Sequence, residues 1–99
     1  MNMLNSLILE GNVSAEPKFD SESKRLEFPV AVKRFYKNDK GENVEEVSHF
    51  DIRTYGNLAD FCKEHLNLER GLRIVGRLKE EDSKVVVIAE HIEFKPRKF

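Results

Sequence analysis

The stretch HFDIRTYG, residues 49–56, alternates along its whole length. Phe50, Ile52 and Thr54 fall on one face, and His49, Asp51, Arg53 and Tyr55 fall on the other. A period of two is the pattern of a half-buried strand, because successive side chains leave the backbone on opposite sides. The first set suits a core. The second places flat rings on either side of a guanidinium, an unusual choice for a face that meets only water. Aromatic residues are favoured in sheets in any case, so alternation alone does not separate a platform for flat ligands from ordinary cross-strand packing.

The period changes directly after this strand. Residues 57–68, NLADFCKEHLNL, predict a helix, with Asn57 as its cap and Asp60 in its first turn, where a carboxylate complements the positive end. Leu58, Phe61, Cys62 and His65 share one stripe at helical spacing, and Gly71 is expected to stop the helix. On the other side of the opening stretch, residues 25–36, RLEFPVAVKRFY, predict a strand with Leu26, Phe28, Val30 and Val32 facing the core. Pro29 donates no ladder hydrogen bond, so this strand is expected to be free on one side there, or bulged. A turn at Asp39-Lys40-Gly41 joins it to the strand at 45–55 as a hairpin.

Further out, LNSLILEGNV at 4–13 predicts a first strand in which Gly11 marks a bulge or sharp bend. SAEPKFDSESK reads as a loop. LRIVGRLK at 72–79 is a further strand, with Gly76 inside it and Arg73, Arg77 and Lys79 on one face. EEDS is a short polar turn, KVVVIAEHIEF at 84–94 the last strand, and KPRKF a basic tail. The expected order is three short strands, one helix, then two short strands. An all-β, five-stranded Greek-key barrel with its helix between strands 3 and 4 is the OB-fold, whose second and third strands bind oligonucleotides.

The totals bound what such a domain can do. A chain of 99 residues is one domain and cannot enclose a large active-site cavity. Apolar residues make up 39% and charged residues 35%, a globular composition. Seventeen Lys and Arg against 18 Asp and Glu leave a net charge of -1, so positive charge can favour nucleic acid only if it is segregated onto one surface. The one cysteine, Cys62, allows no disulfide within the chain and is expected in the core of a protein from a reducing, cytoplasmic compartment. The N-terminal residues lack the basic-then-apolar pattern of a secretory signal, and VVVIA at 85–89 is too short to span a bilayer. His49, His65, His91 and Cys62 show no metal spacing, and no nucleophile–base pair or phosphate loop is visible. No cofactor, metal or enzymatic activity is expected, and His65 and His91 are read as structural.

These elements resemble the bacterial single-stranded DNA-binding protein family across residues 3–94. LNSLILEGNVSAEPKF is similar to the family's opening strand, FPVAVKRFYKNDKGE to its second strand and hairpin, HFDIRTYGNLADF to its third strand and the start of the helix, LERGLRIVGRLK to its turn and fourth strand, and AEHIEF to its last strand. The resemblance implies a homo-oligomer, tetramer or dimer, joined through the first strand. It further implies sequence-independent binding of single-stranded DNA in replication, repair or recombination, in the bacterial cytoplasm with the nucleoid. Carried over by position, it implies base stacking at Tyr36, His49 and Tyr55. Replication and repair proteins are the further partners it suggests.

Three departures stand out. His49 replaces the family's usual Trp or Phe; the acidic EEDS replaces a long hairpin that carries an aromatic and basic residues; and no acidic-hydrophobic tip follows KPRKF, so partner recruitment through such a tip is not carried over. A short hairpin without that tip is also similar to the primosomal replication protein N branch, which is dimeric and acts in replication restart. An OB-fold used for protein–protein contact is the alternative from outside the class, and the net charge and EEDS keep it open.

Phosphate contacts are expected from Lys33, Arg34, Arg53, Arg73, Arg77 and Lys79, which all lie on strands two to four. Singly, each is as well explained as solubilising charge; their joint placement is the argument. Tyr36 poses a parity problem. Strict alternation puts it with Val30 and Val32 and turns Phe35 outward with Lys33, unless a bulge near Arg34 reverses the order. The resemblance favours Tyr36 as the stacking residue, with Phe35 second.

Overall fold

The computed structural model describes residues 1–96; of the basic tail, positions 97–99 lie outside the described residues. Seven elements follow one another: β1 Leu7–Val13, β2 Lys18–Asp20, β3 Arg25–Lys37, β4 Asn43–Tyr55, α1 Gly56–His65, β5 Gly71–Glu81 and β6 Lys84–Phe94. The sheet runs β1-β5-β6-β4-β3-β2, and a further pairing of β1 with β3 closes five of these strands into a barrel. All neighbours are antiparallel except β4 and β6, which meet in parallel at Ile52↔Val87 and Arg53↔Ile88. This is the OB-fold expected from the element order.

The closure explains two residues. β1 pairs with β3 only at Asn12↔Ala31 and Val13↔Val30, and the Ser14 N–H donates to the Pro29 carbonyl at 3.0 Å. Backbone N–H and C=O of one strand residue point to the same side, so the nitrogen of Pro29 faces the gap between β2 and β1, where its lost donor is not needed. Gly11 is not a bulge. A Cβ there would run into the Ala31 carbonyl oxygen and Val30 Cγ1, so the bare backbone lets the two strands meet. The bulge is in β6 instead. Val75 pairs with His91 and Gly76 with Ala89, which leaves Glu90 as the extra residue.

The core alternates as the sequence predicts, except that Phe50 is 40% exposed and Val32 only half-buried, because both lie where the ribbon begins to leave the barrel. Leu26, Phe28 and Val30 of β3 and Ile52 of β4 are at most 2% exposed, and they join Val13, Leu72, Ile74, Val87, Ala89 and Ile92. Thr54 shares this face, with its hydroxyl 3.5 Å from the Ala89 carbonyl. Cys62 is fully buried, and burial pushes its thiol up to about 11, so it stays protonated at neutral pH.

Several expectations need correction. The loop at 14–24 contains β2, whose three residues pair with Arg25–Glu27 of β3. β3 and β4 are not short; each has 13 residues, paired without a break from Arg25↔Tyr55 to Lys37↔Asn43. The last third of this ribbon leaves the barrel with residues 33–37 exposed, and it ends where Asn38 Oδ1 accepts from the Lys40 and Glu42 N–H groups, both at 3.0 Å. The turn between β5 and β6 is only Asp82-Ser83, with φ of 51° and 65°, the left-handed pair of a two-residue hairpin.

Asn57 does not cap the helix. Tyr55 is still paired with Arg25, and the Gly56 N–H bonds the Lys24 carbonyl at 3.1 Å, so the chain turns into α1 at Gly56, with φ +63°. The helix therefore starts earlier than expected, and Asp60 lies beyond its first turn. Nor does Gly71 end the helix. It stops at His65, Leu66 caps it through the Cys62 carbonyl, and Gly71 opens β5. The intervening loop is tied to β1, since Glu69 N–H donates to the Val13 carbonyl at 2.8 Å and Val13 N–H to the Arg70 carbonyl at 3.0 Å. The buried stripe is Ala59, Cys62 and Leu66. Phe61 is 54% exposed and stacks with His65 at 4.5 Å and Phe94 at 5.9 Å on the outside of the barrel.

Candidate nucleic-acid interface

Register decides which residues share a face. The β3–β4 ladder has no bulge, so parity runs unbroken from core to ribbon. Residues opposite the core set face outward in the cross-strand pairs Arg25↔Tyr55, Glu27↔Arg53, Ala31↔His49, Lys33↔Val47 and Phe35↔Glu45. His49, Arg53 and Tyr55 therefore lie on one outer face, as the alternation of HFDIRTYG predicts, and His49 and Tyr55 are exposed. Phe35, 71% exposed, joins that face.

Tyr36 does not, which corrects its placement. With no bulge at Arg34, Tyr36 keeps the parity of Val30 and Val32 and emerges on the opposite face of the ribbon, paired with Val44. Arg34 goes with it, its guanidinium 5.4 Å from the Tyr36 ring centre. The ribbon has left the barrel by then, so residues of core parity meet solvent without any change of register.

The outer face continues across the parallel contact. Glu27, Arg53, Ile88 and Arg77 form one row over β3, β4, β6 and β5, and Lys79 is the cross-strand partner of Val86. Val86 and Ile88 are 4% and 5% exposed yet stand apart from the main core cluster, so side chains on the outer face cover them. Their neighbours there are Arg53, Arg77 and Lys79, whose aliphatic stems suit that position.

The cations of this face are not free. Arg53, with a side chain only 17% exposed, has Nε 3.2 Å from Glu27 Oε1 and Nη1 2.8 Å from Glu81 Oε1. The second contact is close but not aligned as a hydrogen bond, so it holds as a charge pair. Glu27 is shared with Arg25 at 2.8 Å, and Glu81 with Lys79 at 3.4 Å. The Arg53 guanidinium beside it holds the Glu81 carboxyl below its ordinary range. Arg77 lies 3.9 Å from Glu90, and Lys33 3.9 Å from Glu45. Arg73 sits away from this cluster, clamped by both Nε and Nη2 on Glu10 Oε2 at 2.9 and 2.7 Å, on the β1 side of β5. The outer face thus alternates in sign rather than forming an unbroken positive groove.

Sequence reasoning missed Arg25, Glu27 and Glu81. The first two were legible, since they share the outward parity of RLEFPVAVKRFY with Lys33 and Phe35. Glu81 was not, because only the folded hairpin brings it to Arg53.

A five-stranded OB barrel with exposed rings spaced along β4 and cations around them defines a class, the OB-fold binders of single-stranded nucleic acid. The chain belongs to the single-strand binding protein family, which matches residues 4–94. It is similar to the single-stranded DNA-binding protein of Aquifex aeolicus (strain VF5), with 34% identity over 91% of this chain and 69% of that protein. Its fold is that of the Plasmodium falciparum SSB in complex with ssDNA, at a TM-score of 0.80 and 20% identity over 97% of this chain and 98% of the other. It is also that of a deletion mutant of the Thermus aquaticus single-stranded DNA-binding protein, at 0.79 and 22%, over 94% of this chain. This chain spans about half of the Thermus aquaticus protein, 51% of its length.

Proposed function

We propose that this chain binds single-stranded DNA without sequence preference on the outer face of β3 and β4, extended by β5. Membership of the single-strand binding protein family is the observation that carries this reading. His49, Tyr55 and Phe35 offer flat surfaces on one face, and stacking tolerates any base because every base has a π-face. Lys33, Arg53, Arg77 and Lys79 are the phosphate contacts placed to serve that face. Arg34 and Tyr36 reach a strand that wraps over the ribbon, and Arg73 one that continues toward β1. Replication, repair and recombination all expose such strands.

We further assign the first strand as the edge for a homo-oligomer, dimer or tetramer. Among the described residues β1 pairs with β3 only at Asn12 and Val13, and Gly11 is packed against Ala31, so the β3-facing edge of Leu7–Glu10 is open. Ile8, 69% exposed, stands beside it. Open strand edges template pairing with another chain.

The test is fluorescence anisotropy of a labelled thymidine oligomer titrated with the protein at low and moderate salt. Tight binding that weakens as salt rises supports the reading, since neutralised phosphates release counterions. No binding at low salt overturns it and leaves the alternating charges of this face to a protein partner.

A further inference from the structure

Arg53 lies between His49 and Tyr55 on β4, and of the cations on the proposed face it is the one least able to meet a phosphate. Its side chain is 17% exposed, against 61% for Lys33, 45% for Arg77 and 46% for Lys79. Two carboxylates from different strands, Glu27 of β3 and Glu81 at the end of β5, occupy the positions that phosphate oxygens would take. We propose that Glu27 and Glu81 are built-in competitors for the phosphate subsite at Arg53. They hold its guanidinium in the free chain and release it when a nucleic-acid backbone arrives. The inference rests on the reading that this face binds single-stranded DNA.

Three features of the geometry favour exchange over a permanent structural pair. Each carboxylate touches Arg53 through one oxygen, and the Glu81 contact is not aligned as a hydrogen bond. A phosphate can instead engage the guanidinium fork through two oxygens, which is the stronger arrangement. Neither carboxylate is stranded on release: Arg25 already holds Glu27 at 2.8 Å, and Lys79 holds Glu81 at 3.4 Å. The displaced charges therefore keep a partner. Glu81 also lies next to the Asp82-Ser83 turn, so it leaves Arg53 by a movement at the tip of the β5–β6 hairpin, without breaking the barrel.

The consequence is that the chain binds DNA more weakly, and with a shallower salt dependence, than its outward cations alone would dictate. The experiment compares the intact protein with Glu81→Gln, Glu27→Gln and the charge control Glu64→Gln on the exposed side of α1, using a labelled thymidine oligomer across a salt series. Circular dichroism checks the fold of each variant. Glu81→Gln is expected to bind about two- to five-fold more tightly, the range for losing one ion pair whose carboxylate is partly exposed. Its salt slope is expected to steepen by about 0.7, the value for one more phosphate on a single strand. Glu64→Gln is expected to stay at the parent affinity, and adding Arg53→Gln to Glu81→Gln to abolish the gain.

A folded Glu81→Gln and a folded Glu27→Gln that both bind no more tightly than the parent, with unchanged slopes, would overturn the proposal while leaving the binding reading intact. An equal gain in Glu64→Gln would overturn it too, by reducing the effect to net charge. If neither parent nor variants bind at low salt, the proposal and the binding reading fall together.

Discussion

Gly11 of β1 faces the Ala31 carbonyl of β3 so closely that a methyl group has no room between the two backbones. The contact sits one residue before the Asn12↔Ala31 pair that closes the barrel, so it measures how tightly the first and third strands are held. Gly11→Ala forces one strand to move and is expected to cost about 1–3 kcal/mol, the usual range for overpacking a fitted site. Urea unfolding checks this. A lower midpoint at constant slope means strain within a closed barrel; a changed slope means the closure itself has opened.

Parity separates the ribbon aromatics into two groups with different expectations. Tyr55, His49 and Phe35 share the outer face, whereas Tyr36 lies on the other side with Arg34. Tyr55→Ala and Phe35→Ala are each expected to lose about 1–3 kcal/mol of affinity for a thymidine oligomer, the value of one stacked base. Tyr36→Ala is expected to lose less. Titrations by anisotropy on folded variants decide it, and a Tyr36 loss larger than that of Phe35 would show that the bound strand crosses to the ribbon's opposite face.

Local pattern carried most of the architecture. The alternation in HFDIRTYG and RLEFPVAVKRFY placed Ile52, Leu26, Phe28 and Val30 in the core, because a half-buried strand must alternate. The missed features are those that depend on distant parts of the chain. β2 is three residues with one half-buried side chain, too little for any period, and it forms because the barrel offers the edge of β3. Asn57 lost the cap to Tyr55 because strand pairing to Arg25 runs up to the helix, a long-range constraint that local propensity does not contain. At the candidate site, the shared face of His49, Arg53 and Tyr55 was legible, whereas the faces of Phe35 and Tyr36 were not, because only the unbroken register of the folded ladder rules out a bulge at Arg34. The pairing of its cations was not. Arg53 with Glu81 joins residues on different strands, and the sequence shows only that the total charge is nearly balanced.

Among the described residues, the side chain of Asn5 ties the chain ahead of β1 to β5. Asn5 Nδ2 donates to the Leu78 carbonyl at 2.7 Å, and Asn5 Oδ1 accepts from the Leu78 N–H at 3.0 Å, so the amide imitates one more strand residue beside β5. Asn5→Ala removes both bonds and is expected to destabilise by about 1 kcal/mol, since water replaces them at an exposed site. Amide hydrogen exchange is the sharper readout. Leu78 is expected to lose protection while Ile74, fully buried in the core, keeps it.

The Arg53–Glu81 pair also makes acid stability a test of the outer face. Its guanidinium lowers the Glu81 carboxyl from its ordinary value of 4.5, and Lys79 adds to the effect. A carboxyl depressed in the folded state contributes stability that is complete above the unfolded value and is lost as pH falls through the folded one. Over that window the unfolded chain binds the proton first, so stability rises with pH. Glu81→Gln cannot titrate. Its unfolding midpoint is expected to lie below the parent's at pH 7, and the gap is expected to narrow as the pH falls below the ordinary carboxylate value and to close once Glu81 is protonated in the folded state as well. Thermal or urea midpoints measured from pH 7 to pH 3 check the sign. A gap that stays constant over that range would mean that Glu81 contributes through packing of the β5–β6 hairpin and not through its charge.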